Sequence, residues 1–367
     1  MRKDSDYMNM ALGLARRGLG STWPNPAVGC VIIDKDGHVI GRGYTGRGGR
    51  PHAEAVALDQ MEKAGKNGQD AVVFVTLEPC AHHGQTPPCA EILVKANVRR
   101  VVVATGDPDS RVSGRGLKIL QKAGIQVDFG LCQSEADHVN QGFFQKISCK
   151  KPLVTLKIAS SLDGKTATKS GQSKWITGPE SRHRGHWLRA SHDAIMVGVG
   201  TVLADDPSLD CRLPGLEDCS PVRIVVDSNL RIPNGCKLLE TAGKIPTWIV
   251  TTKQGGQRFD ELAKQGAKLI VCAANSDGQV DLSRMMEKLT TEGITRLLSE
   301  GGAQVNASLI RASLVDRLYW FRSASVIGGD GLSALASMAL KELQELPRFS
   351  HVRTGQTGND IWQEFMI

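Results

Sequence analysis

Between positions 51 and 89 the chain reads PHAE at 51–54, EPC at 78–80 and PPC at 87–89, placing His52, Glu54, Cys80 and Cys89 in a set order. His52, Cys80 and Cys89 form a Cys2His set, one of the arrangements that hold a catalytic zinc and leave its fourth position to water. Bound zinc lowers the pKa of that water toward neutrality. In zinc deaminases of the H-x-E with P-C-x-x-C type the Glu is not a ligand; it carries protons between water, ring nitrogen and departing ammonia. Glu54 stands in that place. The spacing departs from the simplest form, because eight residues, Ala-His-His-Gly-Gln-Thr-Pro-Pro, separate Cys80 from Cys89, where two are usual. Closed by Pro87 and Pro88, this insertion projects a loop and returns Cys89 at the start of a helix. A loop beside the metal is expected to touch substrate. The alternative is a closed structural Cys2His2 site with His82 or His83 as fourth ligand, which leaves the His-x-Glu pairing without a purpose.

Around this core the pattern alternates. VGCVIID at 28–34 and HVIGRGY at 38–44 are apolar strands flanking Lys35-Asp36-Gly37, a hairpin signal. A helix from Ala53 to Ala64, strand AVVFVTL at 71–77, a helix from Cys89 to Ala96, strand RRVVVA at 99–104, a helix at 114–123, strand IQVDFG at 125–130 and a helix ending near Lys146 follow. Residues Asp6 to Gly18, with Met8, Leu12, Ala15 and Leu19 on one face, read as a packing helix. The metal residues therefore fall at strand-to-helix junctions of a layered α/β domain.

At 367 residues the chain is more than twice a typical domain, so two domains are expected, each with its own core. Ser148 to Pro152 interrupts the pattern before a fresh strand at 152–159, dividing the chain into domains 1–147 and 151–367. The second half shows strands near 193–198, 222–226, 246–251, 296–299, 316–322 and 360–366, with helices near 179–191, 281–291 and 303–312. Few aromatics, 5%, against 40 glycines favour an α/β protein over an aromatic-cored sandwich. The net charge of +7 is scattered along the chain, which suits anionic small molecules and gives no basic stripe for nucleic acid. Nine cysteines without framework spacing point to free thiols and a reducing compartment. With no apolar run of membrane-spanning length and no signal-peptide core at the N-terminus, a cytoplasmic protein is expected.

The second half carries its own constellation. Strand TRLLSE at 295–300 runs into Gly301-Gly302 and then helix AQVNASLI, a turn whose free amides suit phosphate. It is not the G-x-G-x-x-G fingerprint, and VGVGTVLADDP at 197–207 lacks the third Gly, so a Rossmann assignment is excluded. Arg189, Arg212 and Arg223 are candidate phosphate clamps. Either glycine turn can equally be a plain chain reversal.

Taken together, WPNPAVGCVI at 23–32, PHAE, TLEPCAHHGQTPPC at 76–89, TGDPDSRVSGRG at 105–116, LKIASSLDGKTA at 156–167 and TVLADDPSLDCR at 201–212 closely resemble the bifunctional riboflavin-biosynthesis deaminase/reductase family. The resemblance covers nearly the whole chain. It implies a cytidine-deaminase-like three-layer domain followed by a dihydrofolate-reductase-like domain, with one zinc per chain, NADPH as cofactor and a homo-oligomeric assembly. It implies as substrate a diamino-pyrimidinone bearing a ribosylamino 5′-phosphate, deaminated first and then reduced from ribosyl to ribityl. Carried over residue by residue, it keeps His52, Cys80 and Cys89 on the metal and Glu54 as proton shuttle. It assigns cofactor contacts to Ala159, Trp175, Thr201, Asp205, Ser228 and the turn Gly302, Ala303, Gln304, Val305, Asn306, Ala307 and Ser308. Substrate contacts fall to Ser173, Arg189, Leu209, Arg212 and Glu300, with Lys157 in the same motif; core packing is the other reading of Leu209. The proton donor of the reduction stays open among Glu300, Lys157 and water. The chain departs from the family pattern at Thr45, where His is common. Two readings of other classes remain: a nucleic-acid base deaminase with a binding module, which needs an aromatic-lined basic groove, and a chain with one domain catalytically silent.

Overall fold

The computed structural model describes residues 2–83, 87–109 and 112–367. The middle of the Cys80–Cys89 loop, and Ser110-Arg111 of the 105–116 motif, therefore lie outside the described residues. The chain forms two compact units, Met1–Cys149 and Lys150–Ile367.

The first unit contains α1 (Asp4–Arg17), β1 (Gly29–Ile33), β2 (Val39–Tyr44), α2 (Ala53–Lys63), β3 (Val72–Val75), α3 (Cys89–Lys95), β4 (Arg100–Val103), α4 (Arg115–Lys122), β5 (Gln126–Phe129) and α5 (Gln133–Cys149). Its five-stranded sheet runs β2-β1-β3-β4-β5; β1 is antiparallel to β2 and β3, and β3, β4 and β5 are parallel. Strand periodicity sorts the core into two layers. Cys30, Ile32, Val73, Val75, Val101 and Val103 face one way, toward Ala57 and Met61 of α2, Leu93 of α3 and Leu120 of α4. Val31, Ile33, Phe74 and Val102 face the other, toward Met8, Ala11 and Leu12 of α1 and Val139 of α5. This is an α/β/α sandwich whose inner strands β1, β3 and β4 are buried on both faces and read as unbroken apolar runs, while the edge strands β2 and β5 are partly exposed. On β2, a Cβ at Gly43 would sit 2.3 Å from the Ala53 carbonyl oxygen. The glycine thus lets the first turn of α2, and with it His52 and Glu54, lie directly on the sheet.

The second unit contains β6 (Leu153–Ser160), β7 (Lys165–Ala167), α6 (Pro179–Ala190), β8 (Ala194–Gly198), α7 (Val199–Asp205), β9 (Val222–Val226), α8 (Lys237–Glu240), β10 (Thr247–Thr251), α9 (Gln257–Lys264), β11 (Lys268–Val271), α10 (Leu282–Thr291), β12 (Arg296–Ser299), α11 (Ala303–Arg311), β13 (Arg317–Arg322), β14 (Leu332–Ser333), β15 (Ser350–Thr357) and β16 (Asp360–Met366). A nine-stranded sheet runs β11-β10-β9-β8-β12-β6-β13-β16-β15. It is parallel from β11 to β13, and β16 and β15 extend it antiparallel. The chain leaves β6, builds β8 to β11 on one side, and returns to insert β12 between β8 and β6. The crevice at the carboxyl ends of β8 and β12 is thus a topological switch point, the usual ligand position in parallel sheets. The sequence pattern gives no sign of α9, β11 or β15. In β15, SHVRTGQT is exposed over most of its length on the sheet edge and carries no apolar alternation. VGVGTVLADDP, read as a glycine turn, is the end of β8 and the whole of α7.

Candidate functional site

In the first unit, local structure carries three donors to one point. His52 is the N-cap residue of α2 and Cys89 the first residue of α3. Cys80 lies on the segment between β3 and α3, where its sulfur accepts a hydrogen bond from the Cys89 amide at 3.2 Å. His52 Nδ1 lies 3.2 Å from Cys89 Sγ and 3.6 Å from Cys80 Sγ, and all three donor atoms fall within 4.8 Å of one another. Ligands about 2.1 and 2.3 Å from a tetrahedral zinc stand roughly 3.6 Å apart, so the set fits that ion. His82 and His83 are not part of the cluster: His83 pairs with Glu91 at 3.1 Å on the surface. The closed four-ligand alternative therefore lacks its fourth donor among the described residues. The other acidic group, Asp34, Asp36 and His38, is a turn in which Asp34 Oδ1 accepts from the amides of Asp36 and His38.

Electrostatics at this site are strongly perturbed. The Cys89 thiol, hydrogen-bonded to Cys80, holds the latter's pKa down to about 4, and the His52 ring adds to the effect. Cys89 is pushed up by that same bond and by burial. Glu54, 4% exposed, is raised to about 7, first by burial and then by the charge on Cys80. A carboxyl poised near neutrality both takes and gives protons readily.

These groups open on a cleft of about 310 Å³, which Thr45, Arg50, His82, Asp107 and Lys146 also line. Thr45 is buried, and its hydroxyl accepts from the Val28 amide at 2.9 Å, so it secures β1 instead of reaching out as a longer side chain would. Two supporting residues escaped the sequence reading. Glu78, just before Pro79-Cys80, accepts from the amides of Gly114 and Gly116 at 3.0 and 2.9 Å and ties the start of α4 to the metal segment. Asn140 of α5 bonds both the amide and the carbonyl of Ala27, at 2.9 and 3.1 Å. An acid beside Pro-Cys and a Gly-rich VSGRG segment were signals for the first; nothing local signals the second. Cys80→Ser should lose stoichiometric metal, measured by elemental analysis, because a hydroxyl replaces a thiolate in a three-donor set.

In the second unit, Glu300 follows β12 and meets Arg189 of α6. Arg189 donates from Nε to Oε1 at 2.8 Å and from Nη2 to Oε2 at 3.0 Å, a two-pronged pair, while Lys157 Nζ on β6 stands 3.6 Å from Oε2. Burial alone would raise the Glu300 carboxyl, but the charges of Arg189 and Lys157 outweigh it and hold the group far below the usual carboxylate range. Arg189 also donates to the Asp210 carbonyl at 2.9 Å, and Arg212 pairs with Asp210 Oδ1 at 3.1 Å. Leu209 is 3% exposed with its side chain in the core, at a left-handed φ of 53°. Arg223 is no phosphate clamp. At 1% exposure it donates to the carbonyls of Ser208, Leu238 and Ile245 and to the hydroxyls of Thr241 and Thr247, joining strands and turns inside the core.

The two glycine turns come together. A Cβ at Gly198 would lie 2.8 Å from Val305, and one at Gly302 3.2 Å from Thr201 Oγ1. Neither Gly198 nor Gly302 supplies a side-chain cap, so the first-turn amides of α7 and α11 point into the crevice without one. The cleft there measures about 820 Å³; Ser228, Gln304, Val305 and Ser308 line it. A cradle of bare glycine and amides fits a nucleotide phosphate. Helical spacing splits the 302–308 segment: Ala307 is fully buried, and Asn306 turns inward, its amide donating to the Ala334 carbonyl at 3.2 Å. Thr201 lies behind the Gly302 turn, Asp205 is exposed at the end of α7, and Ala159 sits on β6 opposite Phe321; none of the three lines the cleft. Ser173 and Trp175 also stand outside its lining, with Trp175 69% exposed beneath the Arg182 guanidinium at 4.3 Å. Gly302→Val should weaken nucleotide binding by at least about tenfold with little change in the circular dichroism spectrum. The added branched side chain presses on Thr201 of α7, 3.2 Å from the new Cβ, and pushes apart the two helix starts that cradle the phosphate, whereas the φ of −69° suits any residue.

Residues 152–362 match the family described as the RibD C-terminal domain, and residues 1–105 match the cytidine and deoxycytidylate deaminase zinc-binding region. The riboflavin biosynthesis protein RibD of Actinobacillus pleuropneumoniae is 39% identical over 365 residues, spanning 99% of this chain and 95% of that protein. This chain belongs to the RibD family. The Escherichia coli member is 38% identical, spanning 98% of each chain. Among solved structures, Acinetobacter baumannii RibD superposes with a TM-score of 0.88 at 37% identity, over 99% of this chain and 98% of that one. A diaminohydroxyphosphoribosylaminopyrimidine deaminase/5-amino-6-(5-phosphoribosylamino)uracil reductase from Thermotoga maritima also gives 0.88, at 31% identity with the same coverage. The chain is thus a bifunctional deaminase and reductase of riboflavin biosynthesis. It pairs a cytidine-deaminase-like domain that uses zinc with a dihydrofolate-reductase-like domain that uses NADPH. No helix among the described residues is long and apolar enough to cross a membrane.

Proposed function

We propose that the first unit hydrolyses the ring amino group of 2,5-diamino-6-(5-phosphoribosylamino)pyrimidin-4-one and that the second reduces the ribosyl group of the product to ribityl phosphate. The observation that carries this reading is the convergence of His52, Cys80 and Cys89 beside the buried carboxyl of Glu54. His52 Nδ1, Cys80 Sγ and Cys89 Sγ hold the zinc, which when bound supplies an activated water. Glu54 carries one proton from the water to the ring nitrogen and then a second from the added hydroxyl to the leaving amine, so that ammonia departs and a carbonyl remains. Burial keeps bulk water from competing for that proton.

In the second unit the amides at the start of α11 bind the cofactor phosphates. NADPH when bound supplies hydride for C1 of the opened sugar. Glu300, fixed as a carboxylate by Arg189 and Lys157, accepts hydrogen bonds from ribose hydroxyls, and Arg212 on the exposed side holds the substrate phosphate. Within the proposal the domains run 1–147 and 151–367, the chain works in the cytoplasm, consistent with nine free cysteines, and it assembles as a homo-oligomer. The open edge of β15 and the exposed Val352 and Ile361 are compatible with that assembly.

The test is to incubate purified protein with the diamino substrate, with and without NADPH, and to identify products by mass. The amino-to-oxo product alone is expected without NADPH, and the ribityl product on its addition. Release of neither overturns the reading.

A further inference from the structure

The dinucleotide cleft has a direction. The Glu300–Arg189–Lys157 cluster lies at the carboxyl ends of β12 and β6, whereas the far wall of the cleft is built from the segment after β9, with Ser228, Asn229 and Arg231. From β9 through β8 and β12 to β6 is three strand spacings, about 14 Å in all. The uncapped starts of α7 and α11 lie between. If the reacting sugar sits at Glu300 and the phosphates at the glycine turns, the adenosine end falls beside the β9 segment; this step rests on the function proposed above.

Discrimination between the phosphorylated and unphosphorylated dinucleotide depends on what meets the ribose 2′ position, a carboxylate favouring the bare hydroxyl and an arginine the phosphate. At this end the cleft presents two arginines and two aspartates, Arg231, Arg311, Asp277 and Asp281. Asp281 is engaged as the cap of α10, accepting from the amides of Ser283 and Arg284 at 2.9 and 3.1 Å. Arg311, at the far end of α11, donates to the Ser337 carbonyl and to Ser308 Oγ at 3.2 and 3.1 Å. Asp277 lies on an exposed turn organised by Asn275. Arg231 is exposed to the cleft and makes no hydrogen bond or ion pair with any described residue, so its whole guanidinium fork is available. We propose that Arg231 is the residue that reads the 2′-phosphate and so sets the preference of this enzyme for NADPH over NADH.

Calorimetric titration of the full-length protein with NADPH, NADH, 2′,5′-ADP and 5′-AMP tests this without reference to turnover. The parent protein should bind the 2′-phosphorylated member of each pair more tightly. Arg231→Gln should lower affinity for NADPH and 2′,5′-ADP by about tenfold to a hundredfold, the range of a charge-assisted contact. NADH and 5′-AMP should change by less than about twofold, because they carry nothing for the guanidinium to hold. Arg231→Lys should recover part of the preference, and Asp277→Asn should leave it in place. An unchanged preference in Arg231→Gln, or its loss in Arg311→Gln but not in Arg231→Gln, overturns the assignment. Failure of the parent protein to bind either dinucleotide removes the reading of the cleft itself, and this inference with it.

Discussion

Glu54→Gln is expected to keep its metal and its fold while ammonia release falls by about a thousandfold, within the range that a positioned acid–base group contributes. The amide preserves the shape of the side chain in a 4% exposed site, but it neither accepts a proton from water nor hands one to the leaving nitrogen. Reduction of separately supplied deaminated intermediate should continue at the parent rate, because Glu54 and Glu300 belong to different compact units. An ammonia assay beside metal analysis decides the matter: undiminished release from a variant with full metal would end the role given to Glu54.

Glu300→Gln is the second large effect, in the other unit. Removing the carboxylate takes from Arg189, 15% exposed, and Lys157, 20% exposed, the counter-charge they share. Breaking such a largely buried pair costs about 3–5 kcal/mol, so the denaturation midpoint of the reductase unit should fall measurably and reduction should be lost. The pH dependence has a definite sign. A carboxyl held below its unfolded value stabilises the fold above that value and loses its contribution as pH falls. The advantage of the parent over Glu300→Gln should therefore be flat from about pH 8 to about pH 5.5 and shrink progressively below about pH 4.3. An advantage that instead grew as the medium was acidified would show that the ion pair does not hold Glu300 charged.

The candidate metal set was legible because its chemistry is local: His52 and Glu54 are two positions apart at a helix start, and Cys89 follows a proline pair suited to beginning one. The inner strands of the first unit were equally plain, since strands covered on both faces are apolar along their length. What sequence withheld is pairing over distance. Arg189 and Glu300 are 111 residues apart, and nothing at either position names the other. Arg223 looked like Arg212 until the fold buried one and exposed the other. The two glycine turns were read separately because only the insertion of β12 beside β8 makes them neighbours. The edge strand β15 has no buried face to impress a pattern on its residues.

With the cofactor phosphates seated at the start of α11, as proposed, the durability of the reductase half is tied to its cofactor. A helix whose first amides lack partners frays at that turn, and any bound phosphate supplies the partners. Resistance to unfolding and proteolysis then rises with nucleotide concentration, by about 2.7 kcal/mol at a hundredfold excess over Kd. The deaminase half obeys the same law through a different solute, since a metal seated among His52, Cys80 and Cys89, as proposed, would bind three separate segments together. One polypeptide therefore carries two independent clocks: scarcity of zinc ages one end, and a drained pool of reducing nucleotide ages the other.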